Sequence, residues 1–513
     1  MFVRTNTVRS GEVMRVLVVG AGLSGLSTAM FLGLHGVSSL VVERHASTSV
    51  HPKARGQFPH TMEALRLAGV DEQVIAASPP DFRFRIMVAA AATGPVFQDI
   101  LVDDMGPDLS AFSTAGWANA SQERVEPILA ARARELGASI RFGTSLESFT
   151  QDTDGVRAVL RDLGTGATET ITADYLVAAD GHRSPIREAL GIGVTGRGVL
   201  GTGVGSVFEA DLSSVLPRNA LVYLKNPELP GGGGVLVSTD DPGRYAFGTG
   251  VGDYSDEEWA SMIRLAAGIP DLAVTVLDRS GSTDTKHWVA DEFSSGRVHL
   301  VGDAVRVMPP TGAFGGNTAI LDGFYLAWKL AMVVKGQAGP ALLDSHTPER
   351  RPYSQFIAEQ QYTFFVQRMA PELDDGSLTP LADPFSIPFF GYRHISDAVL
   401  VEPGDDESII EAEPTGRPGS RAPHVPVQVD GREVSVIELF GRGFVVLTGT
   451  QQWAERATEL GLTAHVLQGA EWAKAYGVTE SGAVLVRPDF FVAWRTPDAS
   501  GDLGAALRAV LKV

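Results

Sequence analysis

The chain has 513 residues, 44% of them hydrophobic, which is enough for two or three domains with real cores. Its net charge of −19 argues against nucleic acid or an anionic membrane surface as a partner, since both select basic patches. No cysteine is present, so disulfides, thiolate metal sites and thiol redox pairs are excluded.

Residues 1–13 carry Arg4 and Arg9 without an apolar run, which predicts a disordered extension rather than a secretory signal, with Met14 as an alternative start. No run of about 18 apolar residues predicts a membrane span, so a cytoplasmic protein is expected. The β-branched run at 14–19 then enters Gly20-Ala21-Gly22-Leu23-Ser24-Gly25, and a helical pattern leaves it over 23–35. Gly20 permits a tight turn, Gly22 lets the backbone approach a pyrophosphate, and Gly25 lets the helix lie close on the sheet. The start of that helix offers unpaired N–H groups to phosphate. A second buried strand at 39–42 ends in Glu43-Arg44, where the carboxylate can accept ribose hydroxyls. This strand, turn, helix and acid predict a dinucleotide site, and by themselves leave FAD and NAD both open.

Residues 176–179 form a further buried strand that ends in Asp180-Gly181, at the carboxyl end where such sheets bind ligands. From 187 to 291 the character changes. Short runs such as 220–224 and 234–238 are broken by Gly231-Gly232-Gly233-Gly234 and Asp241-Pro242-Gly243, predicting a mostly antiparallel sheet. Arg244, Tyr245, Phe247 and Trp288 are candidate cavity residues there, although sheet packing is the commoner role for buried aromatics. Residues 297–304 repeat the strand-then-acid pattern, with Asp303 after Gly302 placed to accept a hydrogen bond from a polyol. Pro309-Pro310-Thr311-Gly312-Ala313-Phe314-Gly315-Gly316-Asn317 then leads into a helix over 318–334, with Ile320, Phe324 and Trp328 on one face. Residues 402–416 are acidic and rich in Pro and Gly, as a linker would be. Beyond them come β-rich runs at 434–441 and 444–447, a helix over 452–460, and a strand pair at 483–489 and 492–495.

In order and spacing, the Gly20–Gly25 turn, Asp180-Gly181 and Gly302-Asp303 with its Pro/Gly-rich sequel resemble the class A flavin-dependent aromatic monooxygenases, the para-hydroxybenzoate hydroxylase type, over about residues 14–400. The remainder resembles the thioredoxin-like carboxyl-terminal domain of phenol and bacterial polyketide hydroxylases. His51-Pro52-Lys53-Ala54-Arg55-Gly56 is similar to the family's basic segment after the second strand, and Ser121-Gln122-Glu123-Arg124 to the helix that contacts the FAD diphosphate and ribityl region. The implied FAD site comprises Gly20, Ala21, Gly22, Leu23, Ser24, Gly25, Glu43, Arg44, Arg55, Gln122, Arg124, Asp180, Gly181, Gly302, Asp303, Pro310, Gly315, Gly316 and Asn317. No metal is expected, and the sequence names no catalytic residue.

The implied fold is α/β: a Rossmann-like FAD-binding domain from 14–186 and 292–400, an inserted mostly antiparallel β-sheet substrate domain at 187–291, a linker at 401–418, and a cysteine-free thioredoxin-like domain at 419–513. The resemblance further implies that NAD(P)H, bound transiently, reduces FAD. A flavin hydroperoxide formed with O2 then hydroxylates a phenolic or polycyclic aromatic, polyketide-like small molecule of antibiotic biosynthesis. A homodimer is its expected assembly. Three departures stand out: His60 where arginine is usual, Arg306 in place of a histidine, and Asp322-Gly323-Phe324 for Asp-Ala-x. Arg306 is a candidate positive field for a phenolate, with an ordinary ion pair as the alternative, and it and His60 are where the site is expected to differ from its relatives. Two other readings stay open at this point: an FAD-dependent oxidase or dehydrogenase without oxygen insertion, and a non-catalytic flavin or ligand carrier.

Overall fold

A computed structural model describes residues 14–49, 54–79, 84–102, 108–383, 390–406, 408–411, 413–429 and 431–513. The extension expected at 1–13, and His51, Pro52 and Lys53 of the basic segment, lie outside them.

The apolar runs of the amino-terminal region form the centre of a parallel sheet. Met14–Val19 lies between Ser39–Glu43 and Thr168–Ala178, and Ser139–Phe142 and Val298–Leu300 extend the sheet in parallel on either side. Val16, Leu17 and Val18 are fully buried, as strands covered on both faces must be. Parallel pairing sends Gly20, Glu43, Asp180 and Gly302 out at the same edge, which is why motifs so distant in sequence meet.

Two helices pack together on this sheet, Leu23–Leu34 and Phe314–Val334. They approach so closely that a Cβ on Gly323 would lie 2.6 Å from the Thr28 nitrogen and 2.7 Å from Ser27 Oγ. The departure from Asp-Ala-x at this position therefore has a packing cause.

A second sheet of eight strands runs in the order Arg306–Val307, Thr275–Ala290, Val194–Glu209, Arg244–Gly250, Gly233–Ser238, Ala220–Lys225, Phe84–Ala89 and Val96–Val102. Every pairing is antiparallel except that of Ala220–Lys225 with Phe84–Ala89. The sheet thus draws strands from both sides of the 187–291 insert. Helix Asp256–Ala267 covers one face, where Trp259 meets Phe247 edge to face at 6.0 Å. The other face looks onto the carboxyl edge of the parallel sheet.

The last hundred residues form a four-stranded sheet in the order Thr463–Val466, Val445–Thr448, Ala483–Val486 and Val492–Thr496. The first two are parallel and joined by helix Gln451–Glu459; the other pairings are antiparallel, and helix Leu503–Leu511 closes the unit. Its core includes Trp328 of the long helix beside Phe444, Trp453 and Leu485. The stretch expected to be a linker is pinned rather than loose. Arg393 Nη2 binds Asp405 at 2.5 Å, Arg417 reaches Asp405 at 2.6 Å and Glu411 at 2.5 Å, and Gly419 N–H donates to Val492 O at 2.8 Å. Among the described residues, no helix is long and apolar enough to cross a membrane.

Candidate functional site

The first turn closes only with glycine. Gly20 has φ +108°, and a Cβ there would sit 2.1 Å from Ala179 O; one on Gly25 would sit 1.9 Å from Gly20 O. Gly22 instead faces open space, its nearest neighbour being Glu126 Oε1 at 3.8 Å. Helix Leu23–Leu34 has no side-chain cap, so its first-turn N–H groups are offered to the space in front of it. Glu43 steadies this loop, accepting Ala21 N–H at 2.8 Å and His45 N–H at 2.9 Å.

Asp180 and Gly181 close the next turn. Gly181 has φ +82°, while Asp180 accepts from Ser184 Oγ at 2.7 Å and from Ile186 N–H at 3.1 Å, tying down the short helix Pro185–Ala189. Burial raises the Asp180 pKa against those bonds. At the third turn, a Cβ on Gly302 would lie 2.4 Å from Ser24 Oγ, and Gly302 N–H donates to Asp322 Oδ2 at 2.9 Å.

These turns border a cavity of about 1690 Å³. Gly20, Ala21, Gly22, Leu23, Ser24, Glu43, Arg44, Arg55, Gln122, Asp180, Gly181, Asp303, Pro310, Gly315 and Gly316 line it. Gly25, Gly302, Asn317 and Arg124 are not in its wall. The first two shape the turns by close approach. Asn317 is buried and braces two loops, donating to Gly56 O at 2.9 Å and Ala313 O at 3.0 Å and accepting from Phe58 N–H at 2.9 Å. Arg124 is 42% exposed and pairs with Asp240 at 3.3 Å and Asp241 at 3.2 Å. Two residues along a helix is about 200° of rotation, so Arg124 leaves on the side away from Gln122. Gln122 keeps its place by donating to Glu126 Oε1 at 2.6 Å, and Arg55 by pairing with buried Asp240 and donating to Asn219 Oδ1 at 2.7 Å.

The donor set fits FAD. Open backbone at Gly22 and an uncapped helix start suit a diphosphate. A second uncapped start, that of Phe314–Val334, adjoins Gly315, where an added Cβ would meet nothing within 4 Å, and suits the negative edge of a reduced flavin.

Opposite these turns the wall is apolar, built from Ile86, Ile100, Leu221, Val235, Val237 and Ala246 of the second sheet with Phe58, Trp117 and Phe364. A charged and phenolic pair stands in it, beside the smaller polar side chains of Ser238 and Thr285. Tyr223 lies beside Arg368, which donates to Thr311 O at 2.9 Å and lies 4.3 Å over the Phe364 ring. Burial pushes the Tyr223 phenol up and the Arg368 guanidinium down.

Sequence reasoning missed this pair, although Tyr223 lies in the run at 220–224 that it used to place the sheet. The candidates it weighed, Arg244, Tyr245, Phe247 and Trp288, do not line the cavity. Successive strand residues face opposite ways, so Ala246 points in while Tyr245 and Phe247 join the core under helix Asp256–Ala267. Arg244 pairs with Asp241, and Trp288 packs under the Arg187 guanidinium at 5.2 Å.

Arg306 does reach the wall, but its charge is committed inside the protein. It is 2% exposed, donating to Asp322 Oδ2 at 2.7 Å, Thr318 Oγ1 at 3.2 Å and Ser354 Oγ at 3.3 Å. His60 is absent from the wall. It is buried between Glu63 at 3.0 Å and the Tyr325 hydroxyl at 2.6 Å. Expected at the site, His60 lies behind the wall rather than in it.

Glu349, His394 and Asp489 bring metal-type ligand atoms within 4.8 Å of one another. Those carboxylates already have cations: Glu349 holds Lys329 at 2.5 Å and Arg487 at 2.6 Å, and Asp489 holds Arg487 and accepts from Trp328 Nε1 at 2.8 Å.

A family model for an FAD binding domain matches residues 13–361, and one for the aromatic-ring hydroxylase C-terminal region matches 415–512. The chain is 44% identical to the aklavinone 12-hydroxylase DnrF of Streptomyces peucetius, over 85% of this chain and 91% of that protein. It is 40% identical to the aklavinone 12-hydroxylase RdmE of Streptomyces purpurascens, over 97% of this chain and 98% of that protein. Its structure matches that of an aklavinone-11 hydroxylase in ternary complex with FAD and aklavinone at a TM-score of 0.90 and 39% identity, covering 98% of this chain and 99% of that one.

Proposed function

We propose, from the premise that this chain belongs to the FAD-dependent aromatic-ring hydroxylases, that its substrate is a polycyclic aromatic polyketide of the aklavinone class, hydroxylated with NAD(P)H and O2. That it is an FAD-dependent monooxygenase follows from the family; the substrate class is the proposal. The observation that carries it is the size and division of the cavity. Pockets for one ligand usually enclose roughly 300–1,000 Å³. At about 1690 Å³, with a polar edge of turns facing an apolar sheet, this one has room for a dinucleotide and a broad apolar second ligand.

Bound FAD supplies the redox chemistry, accepting electrons from NAD(P)H and reacting with O2. The chain's own residues bind, orient and exclude water. The first helix start would hold the diphosphate, Glu43 the adenosine ribose and Asp303 the polyol. Phe58, Trp117 and Phe364 keep water from the reacting face. Arg368 holds positive charge beside Tyr223, so a substrate hydroxyl meeting that pair is oriented by the phenol and is more readily ionised beside the guanidinium. A carbon ortho or para to the resulting phenolate is the electron-rich position that hydroxylation requires.

With one dinucleotide fold among the described residues, NAD(P)H would bind transiently. The same reading takes the protein as cytoplasmic. It takes a homodimer as the assembly, supported by Phe97 and Leu101, 60% and 52% exposed on the edge strand Val96–Val102.

The test is to reduce the holoenzyme anaerobically with NADPH or NADH, admit oxygen with a panel of fused-ring and single-ring phenols, and compare nicotinamide consumed with product one oxygen heavier. Matched stoichiometry on fused-ring members supports the proposal. Turnover confined to single-ring phenols overturns the substrate class.

A further inference from the structure

The cavity turn Gly302-Asp303 is joined to the carboxyl-terminal unit by a line of buried hydrogen bonds, ion pairs and cation–ring contacts. It starts at Arg421, fully buried, which pairs with Glu63 and brings Nε to 3.3 Å from His60 Nδ1. His60 passes the line to the Tyr325 hydroxyl at 2.6 Å, and Tyr325 to the Tyr392 hydroxyl, also at 2.6 Å. From there the link is through rings: the Arg350 guanidinium lies 4.6 Å over the Tyr325 ring and 4.9 Å over that of Tyr353, which stacks on Tyr392 at 4.1 Å. Arg350 grips Asp322 Oδ1 at 3.0 and 3.1 Å, and Asp322 Oδ2 takes Gly302 N–H and Arg306.

A second clasp lies alongside. Arg487 of the terminal unit binds Glu349, the residue preceding Arg350, through both carboxylate oxygens at 2.6 and 2.9 Å.

Away from water, such contacts are stiff, and a member left without its partner costs more than the bond itself contributed. Asp322 is held by two arginines of which one, Arg350, is itself set by this line. The turn that carries Asp303 hangs from Asp322 through Gly302 N–H. We propose that Arg421, Glu63, His60, Tyr325 and Tyr392 are positioning residues, through which the carboxyl-terminal unit fixes the FAD-binding turn at Gly302-Asp303. This gives the terminal unit a role in cofactor retention without any residue of its own in the cavity wall. Coupling carried this way requires that a break in the middle be felt at the far end.

The experiment is FAD titration of full-length apoprotein, read by flavin fluorescence and visible circular dichroism. It is independent of which substrate is hydroxylated, so it stands or falls apart from the function proposed above. Tyr325→Phe removes one oxygen from the middle of the line with little change of volume. It is expected to raise the FAD Kd roughly fivefold or more and to alter the bound flavin's dichroism. Glu63→Gln and Arg421→Met should do the same, and each should add little to Asp322→Asn when combined with it, as members of one network do. Val510→Ala, in the terminal unit's core away from the line, controls for general destabilisation and should lower Tm while leaving the FAD Kd unchanged. A folded Tyr325→Phe with unaltered Kd and dichroism overturns the proposal, whether or not Arg421→Met folds. So does a Val510→Ala protein that loses as much FAD affinity as Tyr325→Phe.

Discussion

Asp303 and Asp322 flank the same turn and act on it differently. Asp303 is in the cavity wall, whereas Asp322 is wholly enclosed and holds the turn's backbone from behind. Truncating the first removes a charged acceptor for FAD. Asp303→Ala is expected to weaken FAD binding roughly tenfold to a hundredfold, the worth of a hydrogen bond to a charged group, in a titration of the apoprotein. Unchanged affinity would remove Asp303 from the site.

At Gly323 the expected effect is on stability. A new methyl would collide with Ser27 and the Thr28 backbone, so Gly323→Ala should cost about 1–3 kcal/mol in urea unfolding even though alanine is the usual residue of the motif. At this scale the glycines and acids of the motifs were legible because each has one chemical reason to be where it is. Tyr223 and Arg368 were not, since a tyrosine in an alternating run reads the same whether its hydroxyl meets a ligand or not. Arg306 was legible as unusual but not as buried, because Asp322 and Ser354 reach it only through tertiary folding.

Among the elements, the helix Phe314–Val334 has a strained start. Ala313 precedes it at φ +61°, a left-handed conformation that costs a residue with a Cβ roughly 1–2 kcal/mol. Ala313→Gly should therefore stabilise the protein by about 0.5–1 kcal/mol, after allowing for glycine's looser unfolded state. A lower urea midpoint for the variant would show that the methyl group makes a compensating contact.

The central strands of the parallel sheet, Met14–Val19, Ser39–Glu43 and the buried end of Thr168–Ala178, could be read from sequence because burial on both faces leaves continuous apolar runs; the half-buried Ser139–Phe142 was not read. Phe84–Ala89 and Val96–Val102 could not. Phe84–Ala89 enters the sheet by pairing with Ala220–Lys225 across more than a hundred residues, and Val96–Val102 follows it as its hairpin partner, so no local pattern records where the pair belongs. The insert was thus recognised by composition, and its sheet proved wider than its boundaries.

For the molecule as a whole, two buried histidines set a direction for pH. Burial, with the nearby charge of Lys329, lowers His299 from 6.5 to about 3 and His346 to about 4. Both stay neutral in the folded protein at pH values where the unfolded chain takes up protons. Stability from this source is therefore complete above about pH 6.5 and is lost as pH falls toward 4, with a slope approaching two protons. Glu63, held near 2 by Arg421 and His60 against its own burial, extends the loss below pH 4.5 with the same sign. Urea midpoints measured between pH 7 and 5 should fall steadily, and a flat profile would contradict the neutral burial of these imidazoles.

The long-range sheet has one more consequence, for the protein's life in the cell. Its strands come from four separated stretches of chain, so one wall of the cavity can form only after most of the polypeptide has been made. A ligand that binds only the completed wall holds the folded state by mass action. Flavin supply should therefore govern how much of this protein escapes proteolysis, and riboflavin-starved cells are expected to contain less of it at equal rates of synthesis.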